Sequence, residues 1–143
     1  MKPSTMRRAY LREATLMLAV ARVAVRFLPP ARIFAWANRP QRHSRRFAAD
    51  EARWVAWSID TMSAKPWIAK AWIKGSCLAS ALAAHAMLRR RGIASSLCLG
   101  VARDEGAMAA HAWIEVGQDV IVGAAEAVRF KRIAQFGAAA ARS

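Results

Sequence analysis

Apolar positions in the first forty residues recur every three or four places. From about Ala9 to Phe27 they trace an amphipathic helix, and Pro29-Pro30 ends it, because proline removes a helical N–H and clashes with the preceding turn. Ala31 to Asn38 reads as a short second helix. Ala48 to Thr61 reads as a third, with Asp50-Glu51 in a first turn where carboxylates suit the dipole, and with Trp54, Trp57 and Met62 on its inner face. A fourth helix starts near Cys77 and carries Leu78, Ala81, Leu82, His85, Met87 and Leu88 at helical spacings. Gly92 is placed to close it as the C′ residue. The period then drops to two. Leu97, Leu99 and Val101 alternate with Ser96, Cys98 and Gly100, the mark of a half-buried strand. Asp104-Glu105-Gly106 reads as a turn, and Met108 to Val116 as the next strand. On that strand His111, Trp113 and Glu115 share one face, and Ala110, Ala112, Ile114 and Val116 the other. Beyond Gly123, Arg129-Phe130 and Ile133 to Phe136 are expected to pack back onto the sheet. The predicted fold is α+β, with helices ahead of a small antiparallel sheet.

The chain of 143 residues bounds one compact domain. Within it we distinguish a basic helical segment (1–47), a core (48–136) and a tail (137–143) expected to fray. Hydrophobic residues make up 56%, high for a soluble domain. The longest uncharged run of the first helix, Ala14 to Ala21, is too short to cross a membrane or to serve as a secretory signal, so a cytoplasmic location is expected. Cys77 and Cys98 form no disulfide framework, and no Cys/His cluster has metal-ligand spacing, so neither a metal nor a cofactor is called for. Cys98, in mid-strand, reads as core. His43 reads as solvated. His85 reads as packing, or as lining a cleft.

Charge is uneven. Residues 1–50 hold 11 Lys and Arg against 2 Asp and Glu, a net of +9 within the total of +14, and the run Arg39 to Arg46 is the densest part. A solvated basic face accounts for it as well as any function does. The functional readings are an acidic partner or peptide, peripheral contact with an anionic membrane, or nucleic acid. No nucleic-acid motif accompanies the charge, so nucleic acid is not expected as a partner.

The chemistry concentrates between Gly75 and Trp113. Ser76 is a favoured N-cap residue, which puts Cys77 in a first helical turn. Unpaired N–H groups and the positive end of a helix stabilise an anion there, whether a thiolate or the oxyanion of a tetrahedral intermediate. A thiol at a helix start followed by an imidazole on a strand is a nucleophile and its base. A lone cysteine and a lone histidine are more often core or surface residues, so this pairing alone decides little.

The string Cys77-Leu78-x-x-Ala81-Leu82-Ala83, then Leu88-Arg89-Arg90-Arg91-Gly92-Ile93, Gly100-Val101 and Ala110-His111-Ala112-Trp113-Ile114-Glu115-Val116 resembles the lasso peptide biosynthesis B2 proteins. These are transglutaminase-like cysteine peptidases that remove the leader of a lasso precursor peptide. The resemblance covers roughly residues 50–135. It implies a papain-like or transglutaminase-like fold, Cys77 as nucleophile and His111 as base. It also implies a separate leader-recognition protein and a separate ATP-dependent cyclase that forms the isopeptide ring. Residues 1–50 look too short and too helical for a built-in recognition domain. Trp67 and Trp72, just upstream of Cys77, and Trp113 are candidates to line a peptide cleft.

One departure matters. The family's third residue is an Asp about a dozen positions past the histidine, which falls here at Gly123 or Ala124. The nearest acids are Asp119 and Glu126. A hairpin turn centred on Gln118-Asp119 sets Glu126 opposite His111 and leaves Asp119 in the turn, so Glu126 is the candidate and Asp119 the lesser one. A Cys-His dyad whose tautomer is fixed by a backbone carbonyl or an amide is the other possibility. Acyl transfer to an amine, and a non-catalytic scaffold that holds the precursor for the cyclase, are the competing functions.

Overall fold

The computed structural model describes residues 3–40, 49–65 and 76–137, with the backbone alone at 49, 76, 104, 125 and 126. Helix α1 (Pro3–Phe27) begins six residues earlier than the apolar period requires. Its buried stripe, Tyr10, Ala14, Leu18 and Ala21, packs on α3 (Ala49–Ser63) and α4 (Ser76–Arg90). The proline pair both ends α1 and starts α2 (Pro30–Ala37). Pro29 is extended, with ψ 142°, and Pro30 takes a first-turn position where no N–H is needed. The inner face of α3 is built by Ala52, Val55, Ile59 and Met62. Trp54 stacks on Tyr10 at 5.8 Å at the margin of that face. Trp57 lies outside it, edge-on to Trp54 and under the Arg7 guanidinium.

Helix α4 is the hub. Ala79, Ala81, Leu82, Ala83, Ala84, His85, Met87 and Leu88 are all buried, so it is enclosed nearly all round. Its many alanines let α1 and α3 approach one side and the sheet another. It ends as expected at Gly92 (φ 71°). The Gly92 N–H donates to the Arg89 carbonyl and the Ile93 N–H to the Leu88 carbonyl, the paired bonds of a Schellman cap. A clamp ties this end to α1: Arg91 makes two hydrogen bonds to the Glu13 carboxylate, at 2.6 and 2.8 Å, and Arg90 a third at 3.0 Å. Helix α1, the first part of the basic N-terminal segment, is therefore packed into the same core.

The sheet has the order β3-β2-β1-β4, all antiparallel, from β1 (Ser96–Asp104), β2 (Ala107–Val116), β3 (Asp119–Val122) and β4 (Lys131–Gly137). A short helix, α5 (Ala124–Ala127), joins β3 to β4. Glu105 (φ 50°) and Gly106 (φ 81°) make the tight β1–β2 turn in the left-handed conformation that such hairpins require. Leu97, Ala112, Ile114 and Val122 carry the sheet's contribution to the core. Burying such aliphatic side chains gives roughly 1.5–3 kcal/mol each for the larger ones. Phe136 on β4 stacks on Phe34 of α2 at 4.8 Å, so the last strand does pack back, although Ile133 stays exposed. Gly137, expected in the tail, belongs to β4 and donates its N–H to Asn38 Oδ1.

The β2–β3 hairpin differs from the expected one. Its turn is Gly117-Gln118, not Gln118-Asp119, because Gly117 supplies the positive φ (63°) that the tight reversal needs. Val116 pairs with Asp119 and Glu115 with Val120, and a bulge then sets Ile114 opposite Val122. The strand stops there. The ladder never reaches His111, and residue 126 lies in α5 rather than across a rung from it.

Candidate active site

Cys77 occupies the first turn of α4 and is half-buried against the core. The N–H groups of this turn have no helical acceptor. Helix α4 packs across β2, the strand that carries His111.

His111 is buried, with 6% exposure. Its imidazole is flanked by two rings, Trp113 at 6.0 Å in a stacked arrangement and Phe130 at 5.1 Å, tilted. The Nε2 atom lies 3.4 Å from the Gly123 carbonyl oxygen. A carbonyl can only accept, so Nε2 carries the proton in this bond. The tautomer this bond selects has its lone pair on Nδ1. The sequence thus offers no carboxylate at position 123, and the backbone of that same residue supplies an acceptor. Glycine is favoured there twice over. Its φ is 83°, and an added Cβ would stand 3.0 Å from His111 Nε2, 3.1 Å from Trp113 Cβ and 3.3 Å from the Ala112 oxygen.

Trp113 is 3% exposed and backs the imidazole rather than presenting a face to solvent. Its indole N–H donates to Glu115 Oε2 at 2.9 Å, and Arg132 from β4 bonds the same oxygen. The ring lies over Gly100, whose hypothetical Cβ would meet Cζ3 and Cη2 at 2.8 Å. Only glycine lets the indole settle on β1. Cys98, paired with Trp113 across the ladder, is sealed. Burial pushes its thiol up to about 12, and the nearby Glu115 carboxylate adds to the effect. His85 does not line a cleft. It is fully buried, its Nε2–H donates to the Ala37 carbonyl at 2.9 Å, and its Nδ1 accepts from the Ser95 hydroxyl at 2.7 Å. Burial drives its pKa down to about 4.

Asp119 pairs with Val116, five residues along β2 from His111, and is exposed. At about 3.3 Å per residue that is roughly 17 Å, which removes it as a partner of the imidazole. Glu126 lies in α5, which packs on β2; it is not the rung partner of His111, because the turn sits earlier and a bulge shifts the register. Its side chain, and all of Trp67 and Trp72, lie outside the described residues. The sequence pattern does not point directly to the Gly123 carbonyl or to Phe130 as neighbours of the imidazole. The glycine between a strand and a short helix was a visible signal for the first. Nothing local announced the second, nineteen residues from His111.

A family model described as Transglutaminase-like superfamily matches residues 15–135. No curated protein matches, and no solved structure does.

Proposed function

Because this chain belongs to the transglutaminase-like superfamily, we propose that it is a cysteine peptidase that cleaves the leader from a lasso precursor peptide. The observation that carries the reading is the Nε2–H bond from His111 to the Gly123 carbonyl, which leaves Nδ1 as the basic nitrogen. In this reading Nδ1 takes the proton of the Cys77 thiol. The sulfur attacks the carbonyl carbon of the scissile bond, and the oxyanion is held by the N–H of Cys77 in the first turn of α4. The imidazolium returns the proton to the leaving amine, which frees the N-terminus of the core peptide. Water, deprotonated by the same nitrogen, then releases the leader from the thioester. Such a base contributes about 10²- to 10⁴-fold and one oxyanion donor about 10²- to 10³-fold. The Gly123 carbonyl performs the orienting task that Asp carries in the resembled proteins, and Glu126 is the second candidate for it.

The leader is presented by a separate recognition protein, and the core passes to an ATP-dependent cyclase. The test is mass spectrometry of a leader–core precursor incubated with this protein and purified partners. Hydrolysis gives two fragments that together exceed the precursor by one water, and Cys77→Ala and His111→Ala give none. A fragment carrying an added amine would redirect the assignment to acyl transfer. Unchanged cleavage by Cys77→Ala would leave only the scaffold role. For Glu126, the substitution Glu126→Gln decides: a loss as large as that of His111→Ala would transfer the orienting task to its carboxylate.

A further inference from the structure

Helix α1 is apolar on two faces, and only one of them is used. Inward, Tyr10, Ala14, Leu18 and Ala21 enter the core. Outward, Leu16, Val20, Val23 and Phe27 recur at i, i+4, i+7 and i+11, and each is 55–72% exposed. At about 100° per residue these four fall within an arc of roughly 60° opposite the buried stripe, and they run for about 16 Å along the helix. Arg8, Arg12 and Arg26 border this arc on one side, all exposed. The single acid of α1, Glu13, is turned inward to Arg90 and Arg91. On the other side the apolar surface continues into a groove of about 250 Å³ between α1, α2 and α4, lined by Met17, Ala24, Leu28, Ile33 and Trp36, with Arg32 at its edge.

We infer that this outer face of α1 is a peripheral binding surface for an anionic lipid bilayer. Leu16, Val23 and Phe27 stand on the convex crest of a single uninterrupted helix, and Val20 stands at the rim of the groove. Arg26 stands beside the last turn of this apolar line, and Arg12 and Arg8 continue the same side of the helix ahead of Leu16. A planar interface suits that layout, with apolar side chains in the acyl boundary and arginines among the phosphates. No helix of the described residues is long and apolar enough to cross a membrane, so the contact is one of lying on the surface. A second copy is the poorer occupant, since pairing two crests brings the exposed arginines of both copies together. The chain's net charge of +14 works in the same direction.

Co-sedimentation with vesicles of phosphatidylglycerol and phosphatidylcholine, against phosphatidylcholine alone, tests the inference. Three arginines at an anionic surface favour the charged vesicles by roughly 100-fold. That preference shrinks as salt screens it. The double variant Val23→Asp/Phe27→Asp, confirmed folded by its thermal melt, should lose the binding. A matched control, Met108→Asp/Val128→Asp, alters two other exposed apolar residues and should keep it. Equal binding to both vesicle types overturns the inference, as does retention by the α1 variant. Failure of the wild type to bind vesicles, with the α1 variant instead losing a purified recognition protein or cyclase, assigns the face to a protein and also overturns it.

Discussion

Replacing Gly123 by alanine isolates the contact on which the proposed chemistry turns. The added methyl carbon would stand 3.0 Å from His111 Nε2 and 3.1 Å from Trp113 Cβ, while the backbone there holds a φ of 83°. Two costs follow. The left-handed backbone costs an L-residue about 1–2 kcal/mol of stability. The imidazole must also retreat from the Gly123 carbonyl, which gives up a hydrogen bond of about 1 kcal/mol and with it the bias toward a basic Nδ1. Displacement of a reacting group by about 1 Å costs on the order of 100-fold in rate. The methyl forces a smaller shift, so kcat/KM for leader cleavage should fall roughly 10- to 100-fold, mainly in kcat. Gly117→Ala is the matched control. Its φ is 63° and nothing lies within 4 Å of the new carbon, so it carries the backbone strain without touching the histidine. It should lose similar stability and keep its activity. Both variants are assayed well below their melting temperatures, with circular dichroism confirming the fold. Equal activity in Gly123→Ala and Gly117→Ala would refute the role given to the Gly123 carbonyl.

His85, with its pKa lowered to about 4 by burial, stays neutral in the fold while the unfolded chain protonates it below about 6.5. The unfolded state therefore binds more protons in that window, and stability should fall by about 3 kcal/mol between pH 6.5 and 4, a slope that His85→Gln removes from urea titrations. The hydrogen bonds from Arg91 lower the pKa of Glu13, so its contribution is complete above its unfolded value near 4.5 and vanishes as pH drops through the folded one. Glu13→Gln should cost about 2 kcal/mol at pH 7, read from denaturant midpoints, and little under strongly acid conditions. Brief iodoacetamide treatment at neutral pH should label Cys77, which is half-buried at a helix start. It should spare Cys98, whose sealed thiol is pushed up to about 12, and peptide mass mapping separates the two.

Much of this arrangement was legible along the chain. The four-residue spacing of Tyr10, Ala14 and Leu18, the Pro29-Pro30 break, the Gly92 cap and the alternation from Leu97 to Val116 each depend on neighbours a few positions away. Backbone geometry and side-chain period fix such features locally. Composition and order likewise put Cys77 in a first helical turn and His111 on a strand face with Trp113 and Glu115. What occupies the far side of the imidazole was not legible. It depended on where a two-residue turn closed and on one bulge between Ile114 and Glu115. A slip of one or two residues changes every partner in a ladder, and single-chain periodicity carries no register. Tertiary packing alone brought a main-chain oxygen from Gly123 to the ring where a carboxylate was sought. It alone buried Trp113 behind the histidine, and it alone left the outer stripe of α1 uncovered, because a helix with two apolar stripes does not state which of them the core will take.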